Sequence, residues 1–203
     1  GSWGMGTPVE IEFAVKMSVK PGQPREFGLL QMRPLVLNRE VEALKIEDHD
    51  PSELICQSSH VLGNGVISNV HDIVYVDYHK FERSHSRTIA AEISTLNSRM
   101  VNENRPYLLI GVGRWGSADP WLGIPVKWDQ ISGAKAIVES SFKDFAVDPS
   151  QGSHFFQNLT SFRIGYFTIN PYLNDGYYDL NYLDQCEPIY ENEYIKLIRF
   201  KHP

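Results

Sequence analysis

Cysteine is nearly absent from the 203 residues: Cys56 and Cys186 are the only two. Two thiols make no disulfide scaffold and cannot hold a zinc ion alone, and they suit a reducing compartment. Long apolar runs are absent too. No stretch approaches the roughly 20 residues that span a bilayer, so no membrane partner is expected. Gly1 to Thr7 is neither basic nor followed by a long apolar segment, so no secretory signal is read and a cytoplasmic protein is expected. An excess of positive charge is missing: 19 Lys and Arg against 25 Asp and Glu leave a net charge of −6. That excludes a global basic field for nucleic acid. The aromatics from Tyr166 to Tyr190 have acidic neighbours, which oppose a phosphate backbone. The histidines are scattered, with no i, i+4 pair to build a metal site.

What is present is enough apolar residue for a packed core, 42% of the chain against 22% charged. The length fits one domain, or one domain plus a small piece of another. Val9 to Val15 alternates apolar and acidic residues, the period of a half-buried strand. Phe27 to Arg33 is a second strand, closed by Pro34, and Lys20-Pro21-Gly22-Gln23-Pro24 between them signals a turn. A β-hairpin with a long loop is expected, then a polar linker over Asn38 to Pro51. Further strands are expected at Asp72–Val76, Tyr107–Ile110, Ala134–Glu139, Gly165–Ile169 and Tyr194–Phe200. Ser86 to Met100 fits an amphipathic helix with Ile89, Ile93 and Leu96 on one face, and Ser153 to Phe162 fits a short one. Strands interleaved with few helices predict an α/β or α+β domain.

The hairpin is the first place where chemistry gathers. Glu10 and Glu12 share one strand face, and Gln31 and Arg33 share one face of the other strand. A carboxylate and an amide oxygen are hard ligands suited to Mg²⁺, and an arginine fork grips phosphate oxygens. As pattern alone, the same face also reads as a solvated surface.

Glu10-Ile11-Glu12-Phe13 followed by Leu30-Gln31-Met32-Arg33-Pro34 resembles the end of the ATP-grasp nucleotide-binding domain of phosphoenolpyruvate synthases and pyruvate phosphate dikinases. The resemblance implies that Glu12 and Gln31 help to hold Mg²⁺ and ATP and that Arg33 lies near the phosphates. It also implies two regions. Residues 1–37 would be the end of the ATP-grasp domain, and residues 38–203 a mixed-sheet domain, swivel-like if it carries a phosphohistidine. Gly111 to Trp128 and Asp148 to Phe162 are similar to a block that accompanies that ATP-binding end in large bacterial proteins of this kind. The function implied is a phosphotransferase that uses ATP and Mg²⁺ to phosphorylate a histidine and then pyruvate or another small acceptor. Its partners would be the remaining domains of the parent protein, without which this chain would be inactive.

Two more sites follow. Gly111-x-Gly113-x-x-Gly116 matches a dinucleotide fingerprint by letter, but Asp119-Pro120 and Ile124-Pro125 forbid the helix that the fingerprint needs. Glycines that let backbone N–H groups approach an anion remain, with Arg114 and Ser117 as phosphate-binding candidates. A structural turn packed by Trp115 and Trp121 is the alternative. Gly152-Ser153-His154, after Ala136-Ile137-Val138-Glu139 and before Gly165-Tyr166-Phe167, is similar to the order around the phosphorylated histidine of the same family. His154 is therefore the candidate nucleophile, or else a core or interface histidine flanked by Phe155 and Phe156. Ser84-His85-Ser86 is a lesser candidate for that role. A non-catalytic accessory or regulatory domain, binding a partner domain or a phosphorylated ligand, is the competing function.

Overall fold

The computed structural model describes residues 2–6, 9–34, 50, 53–63, 65–143, 159, 162–173 and 175–200. The chain divides into two compact units, Gly1–Glu40 and Val41–Pro203. Residues 38–49 and 51 of the expected linker, residues 153–158, 160 and 161 of the expected helix, and with them His154, lie outside the described residues.

The first unit holds a short helix, α1 (Ser2–Met5), and the expected hairpin, β1 (Val9–Lys16) paired antiparallel with β2 (Glu26–Pro34). Its register carries a bulge. Glu12 faces Gln31 but Phe13 faces Leu29, so Leu30 is the extra residue. The sequence explains it. In β2 the apolar phase runs Phe27, Leu29 and then shifts by one to Met32, and a bulge absorbs such a shift without turning a side chain to the wrong face. Ile11, Phe13, Val15, Phe27, Leu29 and Met32 thus share one face, where the Phe13 and Phe27 rings stack with centroids 5.2 Å apart. Taken by itself, the unit leaves these side chains exposed. The turn is closed by Gln23 N–H donating to Lys20 C=O at 3.0 Å, with Gly22 at a φ of +84°.

The second unit is a mixed α/β domain. In chain order it holds β3 (Cys56–Gln57), β4 (His60–Leu62), β5 (Asp72–Val76), α2 (Ser86–Asn102), β6 (Tyr107–Val112), β7 (Arg114–Trp115) and β8 (Gly123–Ile124). Then come β9 (Ala134–Ser140), β10 (Gly165–Ile169), β11 (Tyr177–Tyr178), α3 (Leu180–Gln185), β12 (Tyr190–Glu191) and β13 (Ile195–Arg199). Among the described residues, seven strands form one sheet in the order β12-β13-β5-β6-β9-β10-β4. The middle four, β5, β6, β9 and β10, run parallel, and antiparallel strands close both edges. Strands buried on both faces read as continuous apolar runs, which is why Ile73-Val74-Tyr75-Val76 and Leu108-Leu109-Ile110 show no alternation.

Each sheet face has its own core. Val74, Val76, Leu109, Ile137 and Tyr166 pack with Ile89, Ile93, Leu96 and Met100 of α2. Ile73, Tyr75, Ile110, Val138 and Ile198 pack with Leu183 of α3 on the other face. The apolar spacings of four, three and four along α2 carry its burial, and the helix ends two residues beyond expectation. Asn104 takes a left-handed φ of +52°, its N–H donates to Val101 C=O, and Arg105 N–H donates to Met100 C=O at 2.9 Å. That pair of bonds is a Schellman stop with Asn in the place of glycine. Pro120 and Pro125 keep the stretch between them free of helix, and β7 and β8 pair in parallel across it, Arg114 facing Gly123. No helix among the described residues is long and apolar enough to cross a membrane.

Both cysteines are free. Burial pushes the Cys56 thiol up to about 11, so little thiolate forms near neutrality. In the native protein at about pH 8, iodoacetamide is expected to leave Cys56 unmodified over minutes, while unfolded chain reacts fully. Peptide mass spectrometry checks this, and rapid native alkylation of Cys56 would contradict it.

Candidate functional site

The hairpin register brings together the residues that the sequence singled out. Glu12 stands directly opposite Gln31, and Glu10 directly opposite Arg33, so all four positions lie on the polar strand face. The donor set suits Mg²⁺, which takes one or two protein carboxylates and fills its octahedron with water and phosphate oxygens. Among the described residues no group of three or more His, Cys, Asp and Glu is arranged to hold a metal ion.

The glycine loop is engaged differently from an anion cradle. Gly113 N–H donates to Ser140 C=O at 2.7 Å, Arg114 N–H to Leu122 C=O at 2.9 Å and Gly116 N–H to Ile124 C=O at 2.9 Å. Trp115 N–H donates to the buried Glu139 carboxylate at 2.8 Å, and its indole N–H to Val138 C=O at 3.0 Å. The Tyr166 hydroxyl donates to the other Glu139 oxygen. The backbone donors of residues 113–116 are thus satisfied within the protein, and what the loop can offer an anion is side chain. Ser117 Oγ donates to Asp119 C=O at 2.8 Å and accepts from Asp119 N–H at 3.2 Å, holding the tip of the loop. His85 stacks on Tyr194 at 5.0 Å, with Nδ1 3.0 Å from the Tyr194 hydroxyl.

A cleft of about 350 Å³ opens in the second unit where β5, β6 and β9 end. Its walls are Tyr78, Phe81, Glu82, Arg83 and Ser84 after β5, Val112 at the end of β6, Trp121 before β8, and Phe142 and Lys143 after β9. The Arg83 guanidinium sits over the Phe142 ring, 4.3 Å from its centroid. Lys143 Nζ lies 5.7 Å from the centre of Tyr78. Asp77, the residue after β5, is buried and accepts from His79 N–H at 2.9 Å and Lys80 N–H at 3.2 Å, so it fixes the turn that carries Tyr78 to Ser84. Motif reasoning passed over this cleft because its residues come from separate loops. The signal that finds it is topological: in open α/β sheets, ligands bind outside the carboxyl ends of parallel strands.

Comparison of the chain with models of known families, with curated proteins and with solved structures finds no match in any of the three.

Proposed function

We propose that this chain is part of an ATP- and Mg²⁺-dependent phosphotransferase of the phosphoenolpyruvate synthase kind. It would phosphorylate a histidine and then pyruvate or another small acceptor. The observation that carries the reading is the hairpin register, with Glu12 against Gln31 and Glu10 against Arg33 on one face. In this reading Glu12 and Gln31 hold Mg²⁺ and the nucleotide, and Arg33 neutralises phosphate charge. Positioning and electrostatics supply most of the rate in such transfers, so oxygen donors and one fork-shaped cation suffice at this edge. His154 is the proposed carrier, Arg114 and Ser117 are proposed phosphate contacts, and the other domains of a cytoplasmic parent supply the rest of the nucleotide site.

The test uses the full-length protein, Mg²⁺ and ATP labelled at the β or γ phosphate, with acid-labile label on protein as the readout. Glu12→Ala and Gln31→Ala are expected to lower labelling about 100-fold. His154→Ala is expected to abolish it, and His85→Ala to leave it intact. Full labelling of Glu12→Ala would end the reading of the hairpin. Label that survives both histidine variants would end that of His154. A wild type that binds nucleotide yet takes up no label would leave the accessory, regulatory reading.

A further inference from the structure

We propose that the cleft at the ends of β5, β6 and β9 binds a small planar ring that carries a phosphate group. This site is separate from the hairpin and does not depend on the phosphotransfer proposed for it.

Four observations converge. The first is place. β5, β6 and β9 are parallel neighbours, and the cleft is built from residues at or just beyond their carboxyl ends. Loops there are held by a rigid sheet yet open to solvent, which is where α/β folds put ligands. The second is charge. The chain as a whole is acidic, yet the cleft carries Arg83 and Lys143 against a single carboxylate, Glu82. That carboxylate is turned to its neighbours, with an oxygen 3.3 Å from His85 Nδ1 and 3.4 Å from Ser84 Oγ. Two cations of different shape, a fork and a point charge, match a dianion with three oxygens better than a carboxylate.

The third is aromatic surface. Trp121 lines the cleft with 65% of its surface exposed. Its backbone is fixed, because Trp121 N–H donates to Asp119 Oδ1 at 2.9 Å and Leu122 N–H to Asp119 C=O at 3.1 Å. A large ring on a fixed backbone, exposed in a cleft that Tyr78 and Phe142 also line, offers a stacking surface to a flat ligand. The volume of about 350 Å³ suits one ring and its phosphate and is too small for a dinucleotide. The fourth is the helix start. Arg83 and Ser84 line the cleft, and the turn Arg83–His85 to which they belong leads into α2. The first turn of α2 has no acidic residue, and its N-cap residue His85 makes no capping side-chain bond. Ser86 Oγ, fully buried at that start, has no hydrogen-bond partner among the described residues. The positive end of a 17-residue helix therefore adds to the two cations, with Glu82 the one cleft carboxylate beside it.

The test titrates the full chain with phenyl phosphate, adenosine 5′-monophosphate, inorganic phosphate and phenol, followed by calorimetry and tryptophan fluorescence. The two phosphorylated rings are expected to saturate at millimolar concentration or below and to quench Trp121. Phosphate and phenol alone are expected to bind at least about tenfold more weakly. Lys143→Gln should weaken phenyl phosphate about tenfold or more by removing a charge-assisted contact. Trp121→Ala should remove the quench and weaken binding about fivefold or more. Both side chains are exposed, so the variants keep the wild-type fold, which circular dichroism verifies; Lys20→Gln in the hairpin is the unaffected control. Tighter binding of the nucleotide than of phenyl phosphate supports a nucleobase in the ring position, and the reverse supports a single ring. The proposal is overturned if neither phosphorylated ring saturates by about 10 mM. It is equally overturned if phenol binds as well as phenyl phosphate, or if Lys143→Gln and Trp121→Ala both bind like wild type.

Discussion

Replacing Arg105 by Ala is expected to destabilise the second unit by about 3 to 5 kcal/mol, the cost of stranding a buried carboxylate. Asp72 opens β5 at 0% exposure. Arg105 grips it with both arms of the guanidinium, Nε at 2.8 Å and Nη2 at 2.7 Å. The same Nη2 donates to His71 C=O at 3.2 Å. Arg199, in the neighbouring strand, is more distant at 3.4 Å and also binds Glu103, so it cannot replace the lost fork. The Schellman stop of α2 delivers Arg105 to this place, which couples the helix end to the first residue of β5. Urea unfolding followed by circular dichroism reads the loss. Arg105→Lys should recover little of it, because an ammonium cannot bind two carboxylate oxygens as a planar fork. Asp72→Asn in the Arg105→Ala background should recover part, since the buried charge is then gone. A loss below about 1 kcal/mol in Arg105→Ala would show that Asp72 is not a desolvated charge in solution.

The central strands were legible because both of their faces are buried, and Ile73-Val74-Tyr75-Val76 admits few other readings. The helix was legible from Ile89, Ile93 and Leu96, but its end was not, since Asn104 supplies the left-handed stop usually signalled by glycine. Strand order was out of reach. β4 precedes β5 in the chain yet lies at the far edge, paired with β10 through His60–Leu62 against Tyr166–Thr168. Such pairing is set by which edge remains open once the parallel strands have assembled, and no local pattern records it. The two-residue strands β3, β11 and β12 are too short to show a period, and α3 is hidden in an aromatic, acidic stretch that reads as surface. At the hairpin, the change of apolar phase between Leu29 and Met32 was visible in the letters, and the bulge at Leu30 is its physical consequence.

The two candidate sites differ in the same way. Glu12, Gln31 and Arg33 belong to strands that are neighbours in sequence, so alternation alone predicts that they share a face. The cleft joins Tyr78, Trp121 and Lys143, which only the parallel order of β5, β6 and β9 brings together. The glycine loop was read for its freedom to approach a ligand. The freedom is real, but what comes close is the protein itself: the Phe142 ring and the 122–123 backbone at Gly113, and the Arg114 backbone at Gly123.

That contact sets the second large effect. A Cβ on Gly123 would lie 2.0 Å from Arg114 O and 2.3 Å from Arg114 N, and a Cβ on Gly113 would lie 2.8 Å from Gly123 Cα. Backbone cannot swing aside as the end of a side chain can, so Gly123→Ala must separate β7 from β8. The bonds Arg114 N–H to Leu122 C=O and Gly116 N–H to Ile124 C=O, both 2.9 Å, would go with it. Overpacking together with these two losses is expected to cost about 3 kcal/mol. Gly165→Ala is the matched control: its Cβ would lie 3.4 Å from Ile67 Cδ1, 3.5 Å from Ala136 Cβ and 3.8 Å from Lys135 O, ordinary contact, and should cost under about 1 kcal/mol. Trp121 sits two residues before Gly123, so the same substitution should displace the indole and abolish its quenching by phenyl phosphate. Thermal unfolding and the fluorescence titration separate the two consequences. Wild-type stability in Gly123→Ala would mean that β7 and β8 do not touch. Lost stability with an intact quench would mean that Trp121 is positioned by Asp119 alone, and that the rim of the cleft is independent of the strand pair beneath it.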